Sequence, residues 1–269
     1  MTKPSSRFSQ TTMNLLHNLF TIILCLHILS AESQDPAASS CNDNTKANTT
    51  TSRSIDTLLP KLVSGTIQNG FIATSYSGVH GLAQCRGDVS SSDCASCIQS
   101  AAKEIRTLCP SQSDARIWYD YCFLRYSTDR FFGEVDVSGV YLINTQNVTD
   151  PEAFNKKLAS VMDEISKEAV RSSSRGLGRG KRDVSDFVRL YALVQCVRDL
   201  SEINCAQCLA IAVSNFPTVC GDRRGCRVLY SSCYVRYELY PFFFPLDSQE
   251  SLDSRLGEKY ERVVSHVKN

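Results

Sequence analysis

Shifting this chain by 111 residues lays five cysteines onto five others without a gap. Cys85, Cys94, Cys97, Cys109 and Cys122 fall on Cys196, Cys205, Cys208, Cys220 and Cys233. The same offset matches Arg116 with Arg227, Arg125 with Arg236, Tyr126 with Tyr237, and Phe131-Phe132 with Phe242-Phe243. A period this long repeats a whole domain rather than a solenoid unit, and 269 residues accommodate two domains of ordinary size. The expected boundaries are 34–136 and 137–245, followed by a C-terminal tail at 246–269.

The N-terminus sets the compartment. Lys3 and Arg7 lead into an apolar run from Leu19 to Leu29, and the small residues Ala31 and Ser33 follow at the spacing a signal peptidase reads. Residues 1–33 are therefore expected to be a signal peptide, the run being shorter than the roughly 20 residues a bilayer span needs. No later stretch is apolar for long enough, so a secreted, extracellular protein is expected. Without Lys3, Arg7 and Glu32 the 29 basic and 28 acidic residues become 27 of each. That balance provides no general field toward nucleic acid. Cys25 leaves with the leader, and the remaining twelve of thirteen cysteines form an even set in an oxidising space, the composition of a disulfide framework.

Periodicity supplies the elements. Asp150 and Pro151 suit the start of a helix whose stripe is Phe154, Leu158, Val161, Met162 and Ile165, with Ile55, Leu59, Leu62 and Val63 as the first-copy equivalent. A second helix in each copy opens on the Cys-x2-Cys pair and carries Ile98, Ala101 and Ile105, or Leu209, Ala212 and Phe216, on the same face. Extended structure is expected at Gly70–Tyr76, Val79–Cys85, Ala115–Tyr126, Phe187–Gln195 and Cys226–Tyr237. The fold class that follows is α+β, two tandem disulfide-rich domains, each with two helices packed on an antiparallel sheet. Arg171–Arg182, basic and rich in serine and glycine, reads as a solvated loop without a first-copy counterpart. The sharper readings are a contact for acidic wall polymer, or a processing site at Lys181-Arg182.

Catalytic and metal chemistry find little footing. Zinc needs thiolates, usually with histidine, and only His80 and His266 remain in the mature chain. A redox role for Cys94/Cys97 or Cys205/Cys208 competes with a third cysteine positioned to trap each pair in structural bonds. His80 has Tyr191 at the matching position, and no carboxylate pair stands out. No enzyme activity, cofactor or metal is expected.

Two copies of Cys-x8-Cys-x2-Cys behind a signal peptide, with the ending Arg227-Val228-Leu229, Ser232-Cys233 and Arg236–Phe242, resemble the plant cysteine-rich repeat secretory proteins with ginkbilobin-like domains. The resemblance covers roughly residues 41–245, without the membrane helix or kinase domain of the receptor-like relatives. It implies the bridges Cys41–Cys109, Cys85–Cys94 and Cys97–Cys122, and by position Cys196–Cys205 and Cys208–Cys233. The second copy lacks an equivalent of Cys41 and gains Cys226, so Cys220–Cys226 is the expected sixth bridge.

The resemblance also implies a mannose site made of an asparagine, an arginine and a glutamate, whose fixed donors and acceptors suit vicinal hydroxyls. The first copy keeps Asn42 and Arg116 but has Ser127 for the glutamate. The second keeps Arg227 and Glu238, with Asn144 as the third member and Ile143 in place of the preceding cysteine. A cross-strand ion pair is the competing reading of Arg227 and Glu238. The expected role is a non-enzymatic binding protein of the apoplast, recognising cell-wall or microbial carbohydrate in defence or stress. The alternative is a protein-interaction module for receptor-like kinase ectodomains or a second copy, using Trp118, Tyr119, Tyr121 and the aromatic ending Tyr237–Phe244 either as an interface or as core. Asn48 and Asn147 begin N-glycosylation sequons, and a glycan on Asn147 would crowd Asn144.

Overall fold

The computed structural model describes residues 35–245 and 259–265. The expected signal peptide, 1–33, and residues 246–258 and 266–269 of the expected tail lie outside them.

The first repeat runs β1 (Ala38–Cys41), α1 (Thr49–Asn69), β2 (Phe71–Tyr76), β3 (Val79–Cys85), α2 (Ser91–Leu108), β4 (Asp114–Trp118) and β5 (Cys122–Ser127). Its antiparallel sheet has the order β1-β4-β5-β3-β2. The second runs β6 (Gly139–Asn144), α3 (Pro151–Val170), β7 (Leu177–Ser185), β8 (Val188–Cys196), α4 (Glu202–Ser214), α5 (Phe216–Val219), β9 (Cys226–Tyr230) and β10 (Cys233–Glu238). The order β6-β9-β10-β8-β7 repeats the first sheet, and β11 (Tyr260–Ser265) adds a sixth strand beside β6. Two helices cover one face of each sheet, the α+β arrangement that the periodicity predicts.

Local chemistry explains the helices. Asn48 caps α1 by accepting from the Thr51 amide, and Gly70 ends it at φ 78°, a left-handed position that suits glycine. Asp150 caps α3 in the same way, with Pro151 in its first turn. Ile55, Leu58, Leu59 and Leu62 of α1, and Phe154, Leu158, Val161, Met162 and Ile165 of α3, are buried against their sheets. Each such side chain contributes about 1.5–3 kcal/mol of burial. Helices α2 and α4 begin at the serine caps Ser90 and Ser201.

Disulfides staple α2 and α4 to their sheets. Cys85 and Cys122 face each other across β3 and β5, and Cys196 and Cys233 do so across β8 and β10. Cys94 and Cys97, one turn of α2, bond to Cys85 and Cys122, while Cys205 and Cys208 bond to Cys196 and Cys233. One rung of the sheet thus receives both sulfurs of one helical turn.

Four details differ from the sequence expectations. Ala115–Tyr126 and Cys226–Tyr237 are hairpins rather than single strands, turning at Tyr119–Tyr121 and Ser231-Ser232. Strands β1 and β6 were not foreseen. The basic segment Arg171–Arg182 is not a loop: after a short 3-10 turn at Ser172–Ser174 it becomes edge strand β7, the counterpart of β2. Gly178 and Gly180 belong there because β7 presses on α3, where a Cβ at Gly178 would overlap the Ile165 carbonyl oxygen. Finally, Tyr260–Ser265, within the expected C-terminal tail, is a strand that pairs with β6 along its whole length.

The repeats meet through side chains at equivalent positions. Trp118 packs with Ala38, Val140 and Leu229, and its Nε1 donates to the Tyr230 carbonyl at 3.2 Å. Arg86, paired with Asp88, reaches the Phe242 carbonyl. Tyr240 and Phe242 pack with Tyr191 and Leu193, while Phe244 lies edge-on to Tyr121. These aromatic residues therefore serve as core and inter-repeat contact.

Candidate functional site

All twelve cysteines of the two repeats are bonded. Besides the four staples, Cys41 joins Cys109 and Cys220 joins Cys226. The thiolates that a zinc centre or a redox pair requires are therefore consumed. His80 accepts or donates through Nδ1 to Ser75, its partner across β2 and β3, at 2.7 Å, and its ring meets the edge of Phe132.

Strand register aligns the two asparagines. Cys41 faces Ala115 and Ile143 faces Cys226, and residues 115 and 226 are 111 apart. Asn42 and Asn144 are therefore equivalent. Each donates its backbone N–H to the residue 114 or 225 carbonyl at 3.0 Å, and each side-chain oxygen accepts from the amide two residues on.

In the first repeat, Asn42 Nδ2 donates to Asp114 Oδ2 at 3.3 Å, and Arg116 donates to both oxygens of Asp114. The Arg116 Nη1 also reaches Asp136 at 2.9 Å, Ser138 and Ser231, both at 2.6 Å. Arg125 pairs with Asp136 at 2.8 Å. Burial alone would raise the Asp136 pKa, but Arg116 and Arg125 together hold it below the ordinary carboxylate value. Arg116 is thus engaged on both nitrogens within a largely buried network.

In the second repeat, Asn144, Arg227 and Glu238 come together at the ends of β6, β9 and β10. Glu238 is fully buried and accepts from Arg236 Nε at 2.9 Å and Arg227 Nε at 3.3 Å. Arg227 also donates to Asp120 of the first repeat at 2.7 Å. Burial and Arg236 press the Arg227 pKa down, but Asp120 and Glu238 outweigh them and raise it.

Sequence reasoning missed Tyr260. It is the β-partner of Asn144, its ring lies 4.8 Å from the Arg227 guanidinium, and its hydroxyl donates to Glu238 Oε2 at 2.7 Å. One residue of β11 therefore pairs with Asn144 along the ladder and lays its side chain on Arg227 and Glu238. Burial and the Glu238 charge raise the Tyr260 pKa, which keeps the phenol protonated as a donor. Asn48 and Asn147 are both exposed.

The carboxylates of the two constellations are exchanged across a ladder. In the first repeat Asp114 on β4 faces Ser127 on β5. At the matching positions of the second repeat stand Gly225 and Glu238, and a Cβ on Gly225 would overlap Glu238 Oε2. The acceptor lost with Ser127 is thus supplied from the neighbouring strand.

Comparison with known proteins agrees with this architecture. The salt stress response/antifungal family matches residues 36–129 and 143–240. The chain is 50% identical over 236 residues to cysteine-rich repeat secretory protein 55 of Arabidopsis thaliana, covering 84% of this chain and 90% of that one. It is 38% identical over 229 residues to an antimicrobial ginkbilobin-2-like protein of Castanea crenata, covering 82% and 94%. The crystal structure of the tandem DUF26 ectodomain of the Arabidopsis thaliana cysteine-rich receptor-like protein PDLP8 superposes with a TM-score of 0.66 at 30% identity, over 77% of this chain and 98% of that one. No helix among the described residues is long and apolar enough to cross a membrane.

Proposed function

The chain belongs to the salt stress response/antifungal family of cysteine-rich repeat proteins, and from that premise we propose that it is a non-catalytic binding protein of the apoplast whose second repeat carries a carbohydrate site covered by Tyr260. The observation that carries this reading is the Tyr260 hydroxyl. It occupies the place of a ligand hydroxyl, donating to a buried carboxylate beside a guanidinium that lies under its ring. A sugar offers the same groups, O–H donors toward Glu238 and a C–H face or oxygen toward Arg227. The first-repeat constellation is the weaker candidate, because Arg116 is saturated by Asp114, Asp136, Ser138 and Ser231.

The test is a glycan array of mannose-type structures on the mature, disulfide-intact chain. Wild type is compared with Tyr260→Ala and with Tyr260→Ala/Glu238→Gln, each with and without the Asn147 sequon. Mannose binding gained in Tyr260→Ala and lost in the double variant is the expected result. A folded Tyr260→Ala protein that captures no glycan would refute the carbohydrate reading.

One observation favours protein recognition as the second reading. Phe187, at the β7–β8 turn, is 96% exposed, and exposed aromatic residues are frequent interface anchors. Pull-down of a receptor ectodomain that survives Tyr260→Ala but fails with Phe187→Ser would move the assignment there.

A further inference from the structure

The basic segment has a second consequence, at the junction of the repeats. A crevice of about 170 Å³ is walled by Asn69, Gly70, Gly87 and the first turn of α2 from one repeat, and by Arg175 and Arg198 from the other. It adjoins a larger cavity of about 410 Å³ that shares Arg175 and Arg198 and adds Arg171. The repeat is asymmetric here: the position matching Arg198 in the first copy is Gly87, which packs against Leu177 and brings no second guanidinium to the crevice.

The two guanidiniums are poorly served by the protein. Arg198 Nη1 donates to the Asn69 carbonyl at 2.7 Å, at the C-terminus of α1, but its Nε is buried with no hydrogen-bond partner. Burial and the neighbouring Arg175 charge lower the Arg198 pKa, as expected of two cations side by side without a counter-ion. Among the described residues no carboxylate is paired with either arginine. Glu202, the carboxylate on the wall of the larger cavity, accepts from Ser172 instead. The rest of the basic segment is otherwise engaged, Arg182 by Glu164 and Arg179 by the Phe244 carbonyl. The start of α2 adds the positive end of a helix dipole.

We infer that this junction crevice, where Arg175 and Arg198 converge opposite Gly87 and the first turn of α2, binds the carboxylate groups of an acidic saccharide. Guanidinium recognises carboxylate through paired, charge-assisted hydrogen bonds. The adjoining cavity with Arg171 gives room for a second acidic unit, which is the argument for a polyuronate over a single small oxyanion. This site shares no residue with the Tyr260 constellation, so either assignment stands or falls alone.

Isothermal titration of the mature chain with trigalacturonic acid, and separately with sodium sulfate, tests it. Variants are Arg175→Asn, which keeps a residue tolerant of the left-handed backbone at φ 53°, and Arg198→Lys, which keeps the charge but not the fork. Arg53→Ala, on the exposed side of α1, serves as control. Trigalacturonate should bind in a salt-sensitive manner, about tenfold more weakly in each crevice variant and unchanged in the control. Sulfate binding as tightly as trigalacturonate would overturn the polyuronate assignment. No binding, or binding untouched by both variants, would overturn the site itself.

Discussion

Gln84 and Gln195 hold the two repeats together by exchanging identical bonds. Gln84 donates to the Cys196 carbonyl at 2.9 Å and accepts from the Arg198 amide, while Gln195 donates to the Cys85 carbonyl at 3.1 Å and accepts from the Gly87 amide. Both amides are buried, so each forms the bonds its burial demands. Truncating either to alanine should strand a carbonyl and an amide and destabilise the chain by about 2 kcal/mol. Chemical denaturation should also show the loss in both repeats, read from a reporter in each. A transition confined to one repeat would mean the junction is not cooperative.

The exchanged carboxylates can be tested by reversing the exchange. Gly225→Asp alone should be strongly destabilising, because its side chain competes with Glu238 for one volume. Adding Glu238→Ser reproduces the Asp114/Ser127 arrangement and should recover part of the loss, a coupling on the order of 1–3 kcal/mol in a double-mutant cycle. Additive effects would show that the two rungs are not equivalent.

The bridges should differ in worth. Cys41–Cys109 spans a sequence separation of 68 and Cys220–Cys226 one of 6. Loop-closure entropy then assigns about 4 kcal/mol to the first and about 2 kcal/mol to the second. Melting of the paired serine variants, Cys41→Ser/Cys109→Ser against Cys220→Ser/Cys226→Ser, should rank them in that order.

Acid should remove the stabilisation of the Asp136 network. Its carboxyl has a lowered pKa in the folded chain, so its stabilisation is complete above the unfolded value near pH 4 and is lost as pH falls through the lower folded value. Asp136→Asn should destabilise the protein at neutral pH by on the order of 2 kcal/mol and flatten the stability profile below about pH 4. An unchanged acid limb in the variant would place the titrating group elsewhere.

Glycine positions separate steric need from backbone need. Gly178→Ala should cost about 3 kcal/mol or more, since its Cβ has no room against the Ile165 backbone. Gly78→Ala, at φ 80° in open space, should cost only about 1 kcal/mol from backbone strain. Equal midpoints for the two would contradict the close β7–α3 packing.

Much of the fold was legible because helices and turns are local. The Asp150 cap, the Phe154–Ile165 stripe and the Cys-x2-Cys helix start can be read from a dozen neighbouring residues. Strand β7 reads as a loop in the sequence because Gly178 and Gly180 look like loop residues until the helix they admit is in view. Six residues of mixed polarity at Tyr260–Ser265 do not separate strand from turn by periodicity, and their partner, β6, lies more than 110 residues earlier.

The sequence by itself determined the duplication, the α+β class and two framed domains, since cysteine spacing and apolar period survive without knowledge of any distant contact. It also named Asn144, Arg227 and Glu238. Only the tertiary structure decided what those residues touch. Register places Asp114 where Ser127 lacks a carboxylate, the repeat junction brings Asp120 to Arg227, and the last strand lays Tyr260 over Glu238. Each of these depends on which strands become neighbours, a global consequence of packing that no local spacing encodes.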